Sequence, residues 1–391
     1  MMNATDRSQH APTLVSRPSR NSNWLKVALA SVAVLVALLL ALLSLLLIGM
    51  ETGMLALLVG FVAATLPVPV YITLVLWMDR YEPEPVWMIA AAFFWGALAS
   101  FIIALFVNSV GTVLVHLALG EGAADFFGGS ISAPIVEEGS KALALFILFF
   151  WKRDEFDGIV DGIIYASMVG LGFAMTENIL YYGRAALGDG GDGTLRLFII
   201  RGVLSPYAHP LFTSMTGIGI GLASQTKGRA TRIIAPLCGL LLAMILHSTW
   251  NTSLYVAEKF ENGLVALGMY FLVMVPIFFS VLGVIIYALV REGRTVRQYL
   301  EADVGRGLLT REEYNRVCTI RGRMTASFNA LTRGGFTTWR ARQAYNRTAS
   351  ELAFHRSRIA RGLAAGEMTA AEREETYVRA LQELRTRLGA H

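Results

Sequence analysis

The feature that most constrains this chain is a series of apolar runs, each close to the roughly 20 residues that a helix needs to cross a bilayer. Eight runs are separated by polar segments, at residues 25–49, 53–78, 86–117, 131–151, 159–182, 203–224, 231–255 and 263–290. A lipid-embedded segment must satisfy its own backbone hydrogen bonds, which favours helices over isolated strands. The sequence therefore predicts an all-α fold, a polytopic transmembrane helical bundle of about eight spans.

Composition supports this fold class and excludes two others. The chain is 54% hydrophobic and 16% charged, whereas soluble domains are about 45–50% apolar and about 25% charged. An ordinary soluble enzyme and a disordered chain are both excluded by this imbalance. Cys238 and Cys318 lie in very different segments, so the sequence predicts neither a disulfide framework nor a cysteine-based zinc motif.

Three parts are predicted along the chain. Residues 1–24 are polar and patternless and form a disordered cytoplasmic N-terminus, residues 25–290 form the transmembrane domain, and residues 291–391 form a basic helical cytoplasmic tail. The tail contains 19 arginines and 11 acidic residues, a net charge of +8 against +5 for the whole chain. Because the positive charge is confined to the tail, we expect no nucleic-acid partner. We expect a partly solvated tail that also contacts anionic lipid headgroups, at about 1 kcal/mol per basic residue near the surface.

Local signals place helices within this tail. Thr310 with Glu313, and Thr369 with Glu372, have the spacing of capping boxes, in which side chains satisfy the free N–H groups at a helix start. Between these two starts, residues 326–360 read as one or two amphipathic helices. We assign no chemistry to the tail.

Basic residues predict the orientation of the spans, because Lys and Arg accumulate on the cytoplasmic side. They precede span one and follow spans two, four, six and eight, whereas the opposite loops contain few of them. Arg184, Arg196 and Arg201, after span five, are the exceptions. The pattern predicts a multi-pass protein of the cell (inner) membrane, surrounded by its lipid bilayer, with both termini cytoplasmic.

Four spans contain ionisable residues, which cost at least about 2.5–3.5 kcal/mol at the bilayer centre and therefore indicate a function. These residues are Glu137, Glu138 and Lys141 in span four, Glu177 in span five, His209 in span six, and His247 with the nearby Asn251 in span seven. At 1.5 Å per residue, the four segments place these groups roughly 8–12 Å below the outer surface. We therefore expect one cluster in the outer leaflet.

Carboxylates and imidazoles at one depth suit a hydrolytic site. A Glu/His set holds zinc through three protein ligands and leaves one position for water, and a spare carboxylate near Lys141 can accept and return a proton. Asn251 can donate a hydrogen bond to a developing oxyanion. The chain contains no His-Glu-x-x-His motif and no Gly-x-Ser-x-Gly motif, which makes a soluble-type metalloprotease or a serine nucleophile a poorer match.

At these residues the sequence resembles the PrsW family of intramembrane metalloproteases, within the CAAX-protease and Abi-like superfamily. The resemblance covers roughly residues 60–290. The matching elements are Asp79-Arg80-Tyr81-Glu82-Pro83-Glu84-Pro85, Glu137-Glu138-x-x-Lys141, Asp157-Gly158 and Asp161-Gly162, Phe173-Ala174-x-x-Glu177-Asn178, His209, and His247-x-x-Trp250-Asn251.

The resemblance implies hydrolysis of a peptide bond in or near a transmembrane segment of a membrane protein substrate, such as an anti-sigma factor. It also implies a divalent metal, zinc by the chemistry of the Glu/His set, although related enzymes have been argued to use glutamate and water alone. With the residue chemistry, this gives two predicted groups. The metal ligands are Glu177, His209 and His247, and the catalytic residues are Glu137, Glu138, Lys141 and Asn251.

Two other classes of protein remain open from the sequence. Buried carboxylates and histidines also form ion or proton pathways in transporters and channels, although no inverted repeat relates the two halves of this chain. A non-catalytic membrane sensor that presents the basic tail to a partner is the second alternative. An enzyme with Glu138→Gln should lose cleavage while still binding substrate, whereas a sensor should keep signalling.

Overall fold

The computed structural model describes residues 20–81, 83–153, 155–362 and 369–389, and this described part consists of helices joined by short turns and loops, without a strand. The all-α fold class is therefore confirmed. The predicted disordered segment 1–24 lies mostly outside the described residues, and residues 20–24 belong to the first helix.

Sixteen α-helices follow one another in the described part of the chain. The first eight are α1 (Arg20–Thr52), α2 (Met54–Thr65), α3 (Val68–Met78), α4 (Val86–Phe94), α5 (Phe101–Leu119), α6 (Glu121–Phe127), α7 (Ala133–Trp151) and α8 (Ile159–Gly188). The others are α9 (Gly190–Leu197), α10 (Ala208–Ser224), α11 (Arg229–Lys259), α12 (Gly263–Met269), α13 (Val275–Gly305), α14 (Arg311–Val317), α15 (Ile320–Arg361) and α16 (Ala370–Gly389). Wider π-helical turns occupy Trp95–Ser100, Gly128–Ser132, Phe198–Leu204 and Tyr270–Met274.

Six helical segments among the described residues are long and apolar enough to cross a membrane, fewer than the eight predicted. They are Val27–Thr52, Met54–Met78, Val86–Leu119, Ile159–Gly188, Arg229–Lys259 and Gly263–Gly305. The other two predicted spans form α7 and α10. Helix α7 contains three ionisable residues within 19, and α10 has only 17 residues. These two helices therefore differ from the other spans by the polar groups of α7 and by the short length of α10.

Helix α8 forms the centre of the bundle, with 20 of its 30 residues buried. Small residues allow α10 to approach it closely: a Cβ on Gly162 would lie 2.1 Å from the carbonyl oxygen of Gly217. Such backbone approach is how helices associate within lipid, where apolar burial gives no driving force. The contact fixes α10 against α8, and with them the polar residues that each helix contains.

The tail is continuous with the membrane domain. Helix α13 runs through residue 290, where the predicted boundary lies, and ends at Gly305. In the tail, both predicted capping boxes are present: the backbone N–H of Glu313 donates to Thr310 Oγ1 at 3.1 Å, and that of Glu372 to Thr369 Oγ1 at 3.3 Å. Helix α15 is broken at Gly335, whose φ of +72° is a left-handed conformation that favours glycine.

A buried arginine fastens the tail to the membrane domain. Arg323 donates to the carbonyl oxygens of Val317 at 2.6 Å, Arg80 at 3.2 Å and Tyr81 at 3.3 Å. Its guanidinium also lies 4.6 Å from the centre of the Tyr81 ring. A second link joins Arg358 to Asp157. The tail therefore packs against the segment that joins α3 to α4 and against the start of α8.

Carboxylates order the polar segment between α3 and α4. Asp79 accepts a hydrogen bond from the backbone N–H of Glu84 at 2.7 Å, and Glu84 accepts one from the Tyr165 hydroxyl at 2.5 Å. Burial raises the pKa of Asp79 to about 7, despite the opposing effects of the Glu84 N–H and of Arg347 and Arg80. The segment between α3 and α4 is thus held by hydrogen bonds to two carboxylates, and the strength of these bonds depends on the protonation of the carboxylates.

Candidate active site

Helix α7 contributes two carboxylates and an ammonium to one buried cluster. The Lys141 Nζ lies 2.9 Å from Glu138 Oε1 and 3.4 Å from Glu137 Oε2, as expected for neighbours three and four residues apart on a helix. The same ammonium lies 3.8 Å from the centre of the Phe173 ring on α8. Glu138 and Lys141 are fully buried, so each offsets the charge of the other.

Glu138 is also held from two other helices. Its Oε2 accepts a hydrogen bond from Thr213 Oγ1 of α10 at 2.9 Å, and its Oε1 lies 3.1 Å from His247 Nδ1 of α11. Every oxygen of this carboxylate therefore has a partner, which is what burial of a charge requires. Three helices converge on the one side chain.

The second carboxylate–imidazole pair joins α8 to α10. Glu177 Oε2 lies 3.0 Å from His209 Nε2, and Glu177 also forms an ion pair with Arg201. Arg201 Nε donates to Asn178 Oδ1 at 2.6 Å, and its guanidinium lies 4.2 Å from the centre of the Tyr181 ring. The other ring nitrogen of His209, Nδ1, lies 3.1 Å from Lys141 Nζ. His209 thus links the two halves of the cluster.

Aromatic rings hold both imidazoles in place. The rings of His209 and His247 are 5.2 Å apart and nearly perpendicular. Phe212 stacks on His247 at 5.1 Å, and Phe173 contacts His209 at 5.2 Å. A rigid ring environment fixes the direction of the ring nitrogens, which is a requirement for a metal ligand.

Glu137, His209 and His247 each place one ligand atom within 4.8 Å of the other two. All three side chains are buried. One carboxylate and two imidazoles form a donor set typical of a catalytic divalent metal such as zinc, so these residues fit the group that the family resemblance implies. The predicted ligand set contained Glu177 in place of Glu137. In the structure Glu177 instead contacts His209 and Arg201.

Six of the seven predicted site residues come together here, and Asn251 does not join them. The Asn251 side-chain amide donates to the carbonyl of Gly129 at 3.0 Å, and Ser248 donates to that of Ser130 at 2.6 Å. Both bonds attach α11 to the π-helical turn before α7. In the structure the Asn251 amide therefore contacts the backbone before α7 and none of the cluster side chains.

Sequence reasoning missed two partners of the cluster. Arg201 appeared only as an exception to the distribution of basic residues, although an arginine on the side where they are rare is itself a signal of a buried counter-charge. Thr213 gave no comparable signal, except that it lies four residues after His209 and so on the same face of α10.

Comparisons with known proteins identify the family of this chain. Residues 84–281 match the model of the PrsW family intramembrane metalloproteases. The matched segment contains the whole cluster, from Glu137 to His247. This chain belongs to the PrsW family. It is thus an intramembrane peptidase and a multi-pass membrane protein, with six apolar helices long enough to span among its described residues.

Several curated PrsW proteases are similar to this chain. Protease PrsW of Geobacillus kaustophilus is 32% identical over 182 residues, which are 46% of this chain and 73% of that protein. The Bacillus subtilis protein is 31% identical over 173 residues, 44% of this chain and 72% of its own length. That of Clostridioides difficile is 30% identical over 200 residues, 51% and 80% of the two chains. No solved structure matches the PrsW-family chain described here. The tail from residue 291 lies beyond the matched family segment.

Proposed function

We propose that the cluster of Glu137, Glu138, Lys141, Glu177, His209 and His247 is the peptidase centre of this chain. The observation that carries the proposal is the convergence of Glu137, His209 and His247 within 4.8 Å of one another, with the Glu138–Lys141 ion pair beside them. Four helices would have no structural reason to share so many ionisable groups, because each costs free energy in a lipid environment.

Each imidazole has its own orienting carboxylate in this proposal. Glu138 contacts His247 at Nδ1, and Glu177 contacts His209 at Nε2. A carboxylate that accepts the ring N–H fixes the tautomer and leaves the opposite nitrogen for the metal. On His209 this nitrogen is Nδ1, which would exchange its contact with Lys141 Nζ for the metal. Glu137 then completes the set as the third ligand.

We assign zinc to this set, because one carboxylate and two imidazoles, with a fourth position left for water, are a known arrangement of catalytic zinc. When bound, the metal would polarise a peptide carbonyl and favour deprotonation of water. The proton transfers are carried out by the side chains of the cluster.

Glu138 is the general base and acid of this proposal, and Lys141 is its counter-ion. Glu138 Oε2 accepts one hydrogen bond, from Thr213, and keeps a lone pair free, since a carboxylate oxygen has two. That lone pair accepts the proton of the attacking water and returns it to the leaving amine. The Lys141 ammonium offsets the charge of both carboxylates of α7 and positions Glu138 throughout.

The substrate is a membrane protein, and we propose that its cleaved bond lies in or near a transmembrane segment. A helix hides its peptide carbonyls in its own hydrogen bonds, so the substrate must unwind locally before cleavage. Among membrane substrates we favour an anti-sigma factor, on the resemblance to the family alone.

Cleavage and metal content, measured on the same protein, test the proposal. The purified full chain is reconstituted with a single-span membrane substrate, and zinc is measured by mass spectrometry. We expect His209→Ala, His247→Ala and Glu137→Gln to lose zinc and cleavage together, and Glu138→Gln to lose cleavage while retaining zinc. His116→Ala, at an exposed histidine of α5, is the matched control. Full cleavage by Glu138→Gln, or zinc retained by the two histidine variants, would contradict the proposal.

The proposed orientation places both termini in the cytoplasm of the cell and the cluster in the outer leaflet of its inner membrane. It rests on the positions of the basic residues. Single cysteines introduced at Glu121 and at Arg229 should be labelled by an impermeant reagent from opposite sides of the membrane, the first from outside. Labelling of both from one side would overturn the topology.

A further inference from the structure

A long apolar groove opens on the side of the bundle, and none of the cluster side chains lines it. It lies between α3 and α13, with α8 and α10 as its floor, and has a volume of about 850 Å³. This volume falls within the range of about 300–1,000 Å³ that is typical of small-molecule sites. Its rim residues Leu74, Trp77 and Ile286 are half exposed. An occupant can therefore enter sideways from the bilayer.

One end of the groove is basic. Arg294 and Arg297 line it three residues apart, on the stretch where α13 leaves its apolar sequence. Both side chains are exposed, and neither forms an ion pair with a carboxylate among the described residues. No carboxylate lines the groove within the described chain.

A second, polar cleft meets the groove at Thr319, which lines both of them. This cleft has a volume of about 650 Å³, lies in the tail, and is also free of lining carboxylates in the described residues. Its arginines are Arg316, Arg321, Arg333 and Arg342, of which Arg316 forms an ion pair with Glu312. The Nε of Arg342 is buried without an acceptor in the described protein, and a buried donor of this kind calls for a partner from outside.

We propose that the groove and the cleft together bind an anionic phospholipid. The acyl chains would lie in the apolar groove, and the phosphate headgroup would face Arg294, Arg297 and the arginines of the cleft. The occupant must enter from the bilayer and must be negatively charged. An anionic lipid meets both conditions, whereas an acidic peptide in water meets only the second. Arginines recognise phosphate through paired, charge-assisted hydrogen bonds.

The site would also connect the tail to the membrane domain. Its walls include Met78 of α3 on one side, and Cys318, Thr319 and Ile320 of the tail on the other. A ligand that contacts both parts only while they are packed together stabilises that packed state. The proposal is independent of the assignment of the peptidase centre.

The experiment compares phosphatidylglycerol with phosphatidylcholine of the same chain length, each titrated into the delipidated full chain in detergent. Native mass spectrometry counts the bound lipid, and thermal unfolding reports the stabilisation. We expect preferential binding of phosphatidylglycerol. The double variant Arg294→Gln/Arg297→Gln should weaken that binding about 30-fold, equivalent to about 2 kcal/mol for two basic residues.

The matched control is Arg229→Gln/Arg232→Gln, a pair with the same spacing and exposure at the start of α11, outside the groove. It should bind phosphatidylglycerol like the unmodified chain. Arg294→Lys/Arg297→Lys should recover most of the affinity, and Ile286→Trp, which fills the apolar part, should weaken both lipids. Equal binding of the two lipids, an equal loss in the control, or an equal stabilisation by inorganic phosphate would overturn the proposal.

Discussion

Two networks of buried charge, the α7–α11 cluster and the attachment of the tail, are built in different ways. The cluster joins side chains to side chains: Glu138 meets Lys141, Thr213 and His247, and none of these contacts uses backbone. At the tail attachment, Arg323 donates mainly to backbone carbonyls, beside the ion pair of Arg358 with Asp157. The difference matters because a backbone carbonyl cannot take up or release a proton.

The two networks therefore serve different purposes: the cluster can transfer protons, and the contacts of Arg323 hold the tail on the membrane domain. Ionisable partners that can exchange protons are concentrated in the segment that matches the family, whereas the arginine-to-carbonyl bonds lie at the border of the tail, which that match does not include. If the two networks are independent, each should be removable without disturbing the property that the other supports.

The largest effect is expected from Lys141→Met. It leaves Glu137 and Glu138 buried without their counter-charge, which should cost about 3–5 kcal/mol of stability and lower the cleavage rate at least 100-fold. Thermal unfolding and cleavage of a reconstituted substrate measure the two effects. The control Lys259→Met removes an exposed lysine at the end of α11 and should change neither. Normal cleavage by Lys141→Met would mean that the cluster is structural.

A smaller effect on activity is expected from Arg201→Gln, in the range of about 10–100-fold that loss of a supporting contact costs a metal site. The variant removes the ion pair to Glu177, so His209 loses its fixed direction. Zinc affinity should fall together with activity. Arg184→Gln, which breaks the exposed pair with Glu51, serves as comparison. Equal zinc affinity in the two variants would remove Arg201 from the support of the site.

Arg323→Ala should act on stability and spare the chemistry. It leaves the carbonyl oxygens of Val317, Arg80 and Tyr81 without their donor, at a cost of about 3 kcal/mol. Limited proteolysis should cut the tail sooner, while cleavage per folded molecule stays unchanged. Arg340→Ala, at an exposed arginine of the same helix, should resist proteolysis as the unmodified chain does. A fall in cleavage per folded molecule with Arg323→Ala would show that the tail attachment and the cluster are not independent.

The smallest expected effect is a pH dependence that arises at Asp79. Burial raises its folded-state pKa to about 7, above the value in the unfolded chain, so its contribution to stability is present at low pH and is lost as the pH rises through 7. The slope should reach at most about 1.4 kcal/mol per pH unit. Thermal unfolding between pH 5 and 8 measures this slope and its levelling off above pH 7. Asp79→Asn should flatten this part of the profile, and an unchanged slope would assign it to another group.

The parts of this protein that depend on local sequence could be predicted well. The capping boxes at Thr310 and Thr369 need only four consecutive residues, and the helical fold follows from the length of the apolar runs. The meeting of Glu138, Lys141, Glu177, His209 and His247 was also predictable, because equal depth in four antiparallel spans brings such groups to one level.

What could not be predicted depends on the rotation of helices and on long-range contacts. Whether Glu137 or Glu177 faces the two imidazoles is decided by how α7 and α8 turn about their axes, which periodicity does not specify. Arg323 bonds to carbonyl oxygens, and every residue has one, so its partners leave no trace in the sequence. The six apolar segments that are long enough to span do not include α7, which contains three ionisable residues, or α10, which has only 17 residues.

The unbroken course of α13 has a mechanical consequence. A helix of 31 residues is about 46 Å long, so each degree of tilt displaces one end by roughly 0.8 Å relative to the other. Because α13 is rigid, movement of the tail at Gly305 displaces Val275 at the other end of the helix, among the spans. Force applied at the aqueous end would reach the bilayer without passing through a hinge.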